Sequence, residues 1–192
     1  MKIQFNINPR KVIEAMVWCL EQDGPKDILF VLKWLYYIDK YHIQKYGRPV
    51  TGDSYIHLKH GPTPAWAYDA LQGKISDSVL ADIVADAFTI RSVSGEHKKM
   101  IEAKRSSDND YFSLSNIEEM KQAFNFCKKI IDDNSNLKDP VFGLCEETHK
   151  EKSWQTANSR QKLRFELFID EDIQNRDELI SHMKEVSSWV AL

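Results

Sequence analysis

The sequence predicts a mainly α-helical chain with a small β element (α+β), a single compact helical domain with one β-hairpin or short sheet. Three observations carry this. Apolar residues recur at helical spacing in several separate stretches. Two segments that favour extended backbone flank Ser94-Gly95-Glu96, the composition of a hairpin turn. The 192 residues are 42% hydrophobic and 29% charged, with only seven Gly and six Pro, as in a globular protein. A chain of this length can bury roughly 70% of its unfolded surface, enough for one cooperative core.

Taken in order, Asn8 before Pro9 is a helix cap followed by proline at the first helical position. Val12, Ala15, Met16, Cys19 and Leu20 then repeat at helical spacing, so the first helix should cover about 9–23 and stop at Gly24. Pro25 and Asp27 open a second helix with Ile28, Leu32, Leu35, Tyr36, Asp39 and Ile43 on one side, closed by Gly47 as a left-handed cap. Phe30, Val31, Trp34, Tyr37 and Ile38 make its other sides apolar too, so this helix should be central and buried nearly all round. Arg48 to Asp53 is turn-rich, and Ser54 to Lys59 favours a short extended run.

Pro62 and Pro64 mark the entry to a helix through Ala65, Trp66, Tyr68 and Leu71 that ends at Gly73. A further helix covers about 77–86. The segments 88–93 and 99–104 form the hairpin. Ser115-Asn116-Ile117-Glu118 reads as a capping box for a helix over 116–132, with Ile117, Met120, Phe124, Cys127 and Ile131 on one face. Asp139-Pro140 opens a helix whose pattern extends as far as Glu151, and the chain after Trp154 turns polar. Leu179, Ile180, Met183, Val186 and Trp189 form the stripe of a final amphipathic helix. No internal repeat or long linker divides the chain.

Charge and cysteine usage narrow the function. The 26 basic and 29 acidic residues give a net charge of −3, which disfavours a nucleic-acid backbone as partner. The run Lys98-Lys99…Lys104-Arg105 is broken by acids and reads as a solvated face. Met1 to Asn6 lacks the apolar run of a signal peptide and no window reaches the ~18 apolar residues of a membrane span. These features predict a cytoplasmic protein without membrane contact. Cys19, Cys127 and Cys145 are dispersed and odd in number, which suggests reduced, buried thiols.

The densest polar cluster is Asp39, His42, Tyr46, Arg48, Asp53, Tyr55, His57 and His60. An enzyme would place its site here, and a hydrolase using His57, His60 and Asp53 is one reading. Against it, His-x-x-His on an extended run aims its rings to opposite faces, and zinc needs further donors converging tetrahedrally. No nucleophile elbow and no Gly-rich phosphate loop can be written. The structural reading is that Asp39 and His42 hydrogen-bond the irregular 48–62 loop, shaping the surface it presents.

Three pieces of the sequence carry a resemblance. They are Leu32-Lys33-Trp34-Leu35-Tyr36-Tyr37-Ile38-Asp39-Lys40-Tyr41-His42, then Tyr46-Gly47-Arg48-Pro49-Val50-Thr51-Gly52-Asp53, then His60-Gly61-Pro62. Phe112-Ser113-Leu114-Ser115 and Thr148-His149-Lys150-Glu151-Lys152-Ser153-Trp154 add a C-terminal portion. Over about residues 10–160 the chain resembles the Panacea, or SocA-like, antitoxin family. Thr63-Pro64 departs from the aliphatic residue commoner after the Gly-Pro, and 88–104 carries no matching motif.

The resemblance implies a mainly helical domain over 1–160, followed by an extension, 161–192, whose amphipathic helix packs on the same domain. It implies an antitoxin that neutralises a cognate protein toxin by direct binding, with no catalytic role and no cofactor or metal. A minority of relatives act as adaptors delivering a toxin to an AAA+ protease, so an adaptor or a phage accessory protein binding a host protein is the alternative. Homo-oligomerisation stays open. Motif positions with a structural reading are Tyr36, Asp39, His42, Tyr46, Gly47, Pro49, Gly61 and Pro62. Candidate partner contacts are Arg48, His60, His149 and Trp154, joined by Met183 and Trp189 from the last helix. That stripe reads as core or as a partner-docking face, and the docking reading expects truncation before Asp177 to weaken binding more than stability.

Overall fold

A computed structural model describes residues 3–93 and 98–189, with side chains up to Ser187. The expected fold class holds: α-helices dominate, with one three-stranded sheet and one two-stranded ribbon, both antiparallel. Helix α1 (Pro9–Glu21) is capped by the Asn8 side chain. Helix α2 (Ile28–Tyr46) starts at Asp27, whose carboxylate accepts from Leu29 N, and ends at Gly47 in the left-handed conformation. Between Phe30 and Ile43 every residue of α2 except Tyr41 is buried, so this helix is the axis of the core, as its all-round apolar pattern predicts. Trp34 stacks on Trp18 of α1, and its Nε1 donates to the Met120 carbonyl at 3.1 Å.

Strand β1 (Lys26–Asp27) is an addition, because the sequence reads those residues only as a helix start. It pairs with β5 (Lys99–Ala103), which pairs in turn with β4 (Phe88–Ser92), giving the order β1-β5-β4. The β4–β5 pairing, Phe88 opposite Ala103 through Ser92 opposite Lys99, is the expected hairpin. The expected turn at Ser94-Gly95-Glu96 lies outside the described residues.

The main correction concerns Gly61-Pro62-Thr63-Pro64. The helix expected through Ala65, Trp66, Tyr68 and Leu71 is present with Pro64 at its N-cap, but the segment ahead of it is not helical. It is strand β3 (Gly61–Pro64), paired with β2 (Tyr55–Leu58), and α3 (Ala65–Leu71) begins only after Pro64. A residue before proline avoids the α region, so a Pro-x-Pro run is extended. Ala65 N donates to Ser54 O, which fixes the ladder phase and places Pro62 and Pro64 in non-hydrogen-bonded pairs with His57 and Tyr55. Their missing N–H groups therefore cost the ladder nothing. On its other edge β2 bonds the 160–163 segment: His57 N to Gln161 O, Arg160 N to His57 O and Leu163 N to Tyr55 O.

Helix α4 (Ser78–Ala87) lies where expected, capped by Asp77. Helix α5 (Leu114–Asp133) starts earlier than predicted. The capping box is made by Ser113 and Asn116, not Ser115 and Glu118, because Asn116 is held from outside by His42 and Lys11. The helix expected through Glu151 is two: α6 (Val141–His149) and α7 (Lys152–Gln155), separated where Glu151 adopts extended backbone. The chain beyond Trp154 is not simply polar, since Leu163, Phe165, Phe168 and Ile169 are buried, Phe165 and Phe168 in a 3-10 turn. Helix α8 (Arg176–Trp189) buries Leu179 and Met183. Among the described residues no helix is long and apolar enough to cross a membrane.

Candidate partner-binding site

Two polar systems branch from α2. The first seats the loop after it. The Asp39 carboxylate, fully buried, accepts from Val50 N, Thr51 N and Thr51 Oγ1 and from the Tyr55 hydroxyl. Burial pushes its pKa up to about 6, against the lowering effect of those four donors. His42 Nδ1 donates to the Arg48 carbonyl at 2.6 Å and its Nε2 accepts from the Asn116 amide at 3.0 Å, a neutral imidazole bonded at both ends. Burial holds the His42 pKa below its usual value. Tyr46 lies against the His42 ring at 4.6 Å. A Cβ on Gly47 would stand 2.9 Å from His182 of α8, so this turn is also where the last helix packs. Pro49 is half-buried, and the Arg48 side chain points out to solvent.

The second system lies on the stripe Lys33, Tyr36 and Lys40, spaced i, i+3, i+7 along the same helix. The Tyr36 hydroxyl shares a hydrogen bond with Ser153 Oγ at 3.0 Å and donates to Glu151 Oε2, while Lys40 Nζ reaches that carboxylate at 2.6 Å. These bonds draw residue 151 inward and break the helix there. Lys33 is 0% exposed and its ammonium donates to the Pro62 carbonyl at 2.7 Å. The pairing follows from the ribbon's phase: Pro62 turns its carbonyl to the buried outer edge of β3 but has no N–H to offer there, and a donor-only cation matches it. Burial lowers the lysine's pKa to about 8. Gly61 sits at φ +95°, and a Cβ there would overlap Thr148 Oγ1 and press on Lys33 Nζ. Thr148 Oγ1 itself donates to Cys145 O.

Above this buried knot lies an aromatic face. Trp154 is sandwiched between two imidazoles, His57 at 4.3 Å and His149 at 4.1 Å, both nearly parallel to it. Its Nε1 donates to the Leu58 carbonyl. His57 Nδ1 and His149 Nε2 are buried with no hydrogen-bond partner among the described residues. Burial lowers the pKa of His149, and the charge of Lys33 adds to the effect. His60 is half-buried beside Phe142, 5.6 Å between rings, with its pKa lowered by burial and then by Lys59 and Lys33.

The structure thus brings His60, His149 and Trp154 into one neighbourhood and leaves Arg48 on the other polar system. Met183 is 0% exposed, so contact with a partner there would require α8 to leave its seat. Trp189 closes α8, and its side chain lies outside the described residues. The grouping of His57, His60 and Asp53 does not persist: Asp53 accepts from Trp66 N and Ala67 N at the start of α3, His57 stacks on Trp154, and His60 faces Phe142. Among the described residues no three His, Cys, Asp or Glu side chains are placed to hold a metal ion. The sequence reading passed over Lys33, Lys40 and Glu151. The available signal was a polar stripe at i, i+3, i+7 in a helix otherwise apolar on every side.

A family model described as antitoxin SocA-like, Panacea domain, matches residues 31–190. That span contains both polar systems, the ribbon, the stacked face and α8. Comparison with curated proteins gave no match, nor did comparison with solved structures. Membership suggests an antitoxin role and a protein partner. With the match covering most of its length, the chain belongs to the SocA-like, Panacea-domain antitoxin family.

Proposed function

We propose that this protein is a cytoplasmic antitoxin that neutralises a cognate protein toxin by direct binding, without catalysis. The observation that carries the reading is the stacked His57–Trp154–His149 face, in which Trp154 is fixed by the two imidazoles and by its Nε1 donating to the Leu58 carbonyl. Such a face is pre-organised: rigid aromatic rings lose little conformational freedom on binding, and Trp is enriched among interface hot spots. Arg48, His60, His149 and Trp154 are the proposed contacts.

The test is co-expression with the product of the adjacent gene. The toxic product should lose its effect and copurify with this chain, and Trp154→Ala should weaken the pair by about tenfold or more while circular dichroism stays unchanged. A harmless neighbour, or a toxic one that does not copurify, removes the proposal. Recovery of AAA+ protease subunits with the pair would replace simple masking by delivery to a protease.

A further inference from the structure

Beside the stacked face, a groove of about 720 Å³ runs between the start of α2, α3 and the start of α6. Leu29, Leu32, Tyr68 and Phe142 supply its apolar lining, with His60 at one end. Phe142 is 42% exposed, one of the few large apolar side chains that face solvent. Lysines rim the groove. Lys98 is occupied, held by Asp139 at 3.1 Å and Asp27 at 3.5 Å, which also accounts for both carboxylates lining the groove. Lys99 donates to the neutral Gln72 amide oxygen, and Lys138 is exposed. Among the described residues neither of these two pairs with a carboxylate. A chain of net charge −3 thus carries a groove with an apolar lining and, on its rim, two cations that no carboxylate among the described residues pairs.

We propose that this groove docks an acidic amphipathic helix of the partner protein, with apolar residues over Leu29, Leu32, Tyr68 and Phe142 and carboxylates toward Lys99 and Lys138. Charge complementarity selects an acidic occupant. The apolar lining comes from helices α2, α3 and α6, and the one strand residue of the groove other than the α2 cap Asp27 is Lys99, on the middle strand of its sheet. Among the described residues the occupant thus finds no free strand edge to pair with and satisfies its own backbone best as a helix. The proposal rests on the antitoxin reading and extends its contact surface from His60 across Phe142.

The probes are two four-turn amphipathic peptides with the same Leu/Phe face, flanked in one by Glu and in the other by Lys, each followed by fluorescence anisotropy on the whole chain. The Glu peptide should bind with a Kd on the order of micromolar and the Lys peptide at least about tenfold more weakly, with the difference shrinking as salt is raised. Phe142→Glu should weaken the Glu peptide by about tenfold, and the double reversal Lys99→Glu/Lys138→Glu by about fivefold, at unchanged melting temperature. Should Phe142→Glu unfold the protein, the double variant on the lysine rim still decides. Absence of binding by the Glu peptide, equal binding of both peptides, or wild-type affinity in a folded double variant overturns the proposal. A chain that neutralises its partner but ignores the Glu peptide loses the groove and keeps the antitoxin reading. One that binds the Glu peptide as described but does not copurify with its neighbour's product loses the antitoxin reading alone.

Discussion

Asp39 and Lys33 are both fully buried charges on α2, less than two turns apart, and their surroundings are opposite. Asp39 receives three donors from a loop that folds over it and a fourth from Tyr55 of β2, and His42 beside it is bonded at both ring nitrogens. Lys33 has one carbonyl acceptor, no carboxylate bonded to it among the described residues, and above it two imidazoles whose buried nitrogens lack partners. The first region has satisfied its buried groups internally, so Asp39 and His42 serve to fix the loop. The second keeps unspent capacity beneath a partly exposed aromatic face. Within one helix, the difference separates residues that hold the fold from residues that prepare a surface.

The hardest test of this contrast is Asp39→Ala. Three buried donors, Val50 N, Thr51 N and Thr51 Oγ1, would lose their acceptor, while the Tyr55 hydroxyl keeps the Leu35 carbonyl, so urea unfolding should show a loss of about 3–5 kcal/mol. A loss below about 1 kcal/mol would mean that the loop is held by something else. On the Lys33 side, Gly61→Ala should cost about 2–4 kcal/mol, from the left-handed backbone together with the overlap on Thr148. Its stability in the same titration should fall well before any surface variant's does.

A third outcome concerns pH. Lys33 carries its desolvation cost in full below about pH 8, and that cost is relieved as pH rises toward the lysine's ordinary 10.5, because the unfolded chain then binds more protons than the folded one. Wild type should therefore gain stability relative to Lys33→Met between pH 8 and 10. A difference that stays flat across that window would show that the ammonium is not desolvated. The smallest effect is expected at Arg48, where Arg48→Ala should move stability by no more than about 0.5 kcal/mol, since the side chain is exposed. A larger shift would place Arg48 in the loop's scaffold rather than among the proposed contacts.

Much of the helical framework was legible in the sequence. The spans of α1, α2 and α4, most of α5, and the β4–β5 hairpin follow from apolar period, Asn8 and Asp27 at helix starts, and Gly47 as the left-handed stop. These are local signals, and each holds wherever the segment is placed. The role of Asp39 and His42 under the 48–62 loop was also readable, because a buried helix bearing an acid and an imidazole next to an irregular loop has few other partners to satisfy. Helix versus strand at Gly61–Pro64, the start of α5 two residues earlier and the break at Glu151 were decided by contacts far along the chain: the ribbon's phase against Tyr55 and His57, His42 and Lys11 on Asn116, and Tyr36 with Lys40 on Glu151. The same holds for the candidate site. Its motifs at 33, 60–62 and 148–154 stand apart in sequence, and only the tertiary fold brings them together, because a buried ammonium and an unpaired proline carbonyl must find each other once water is excluded.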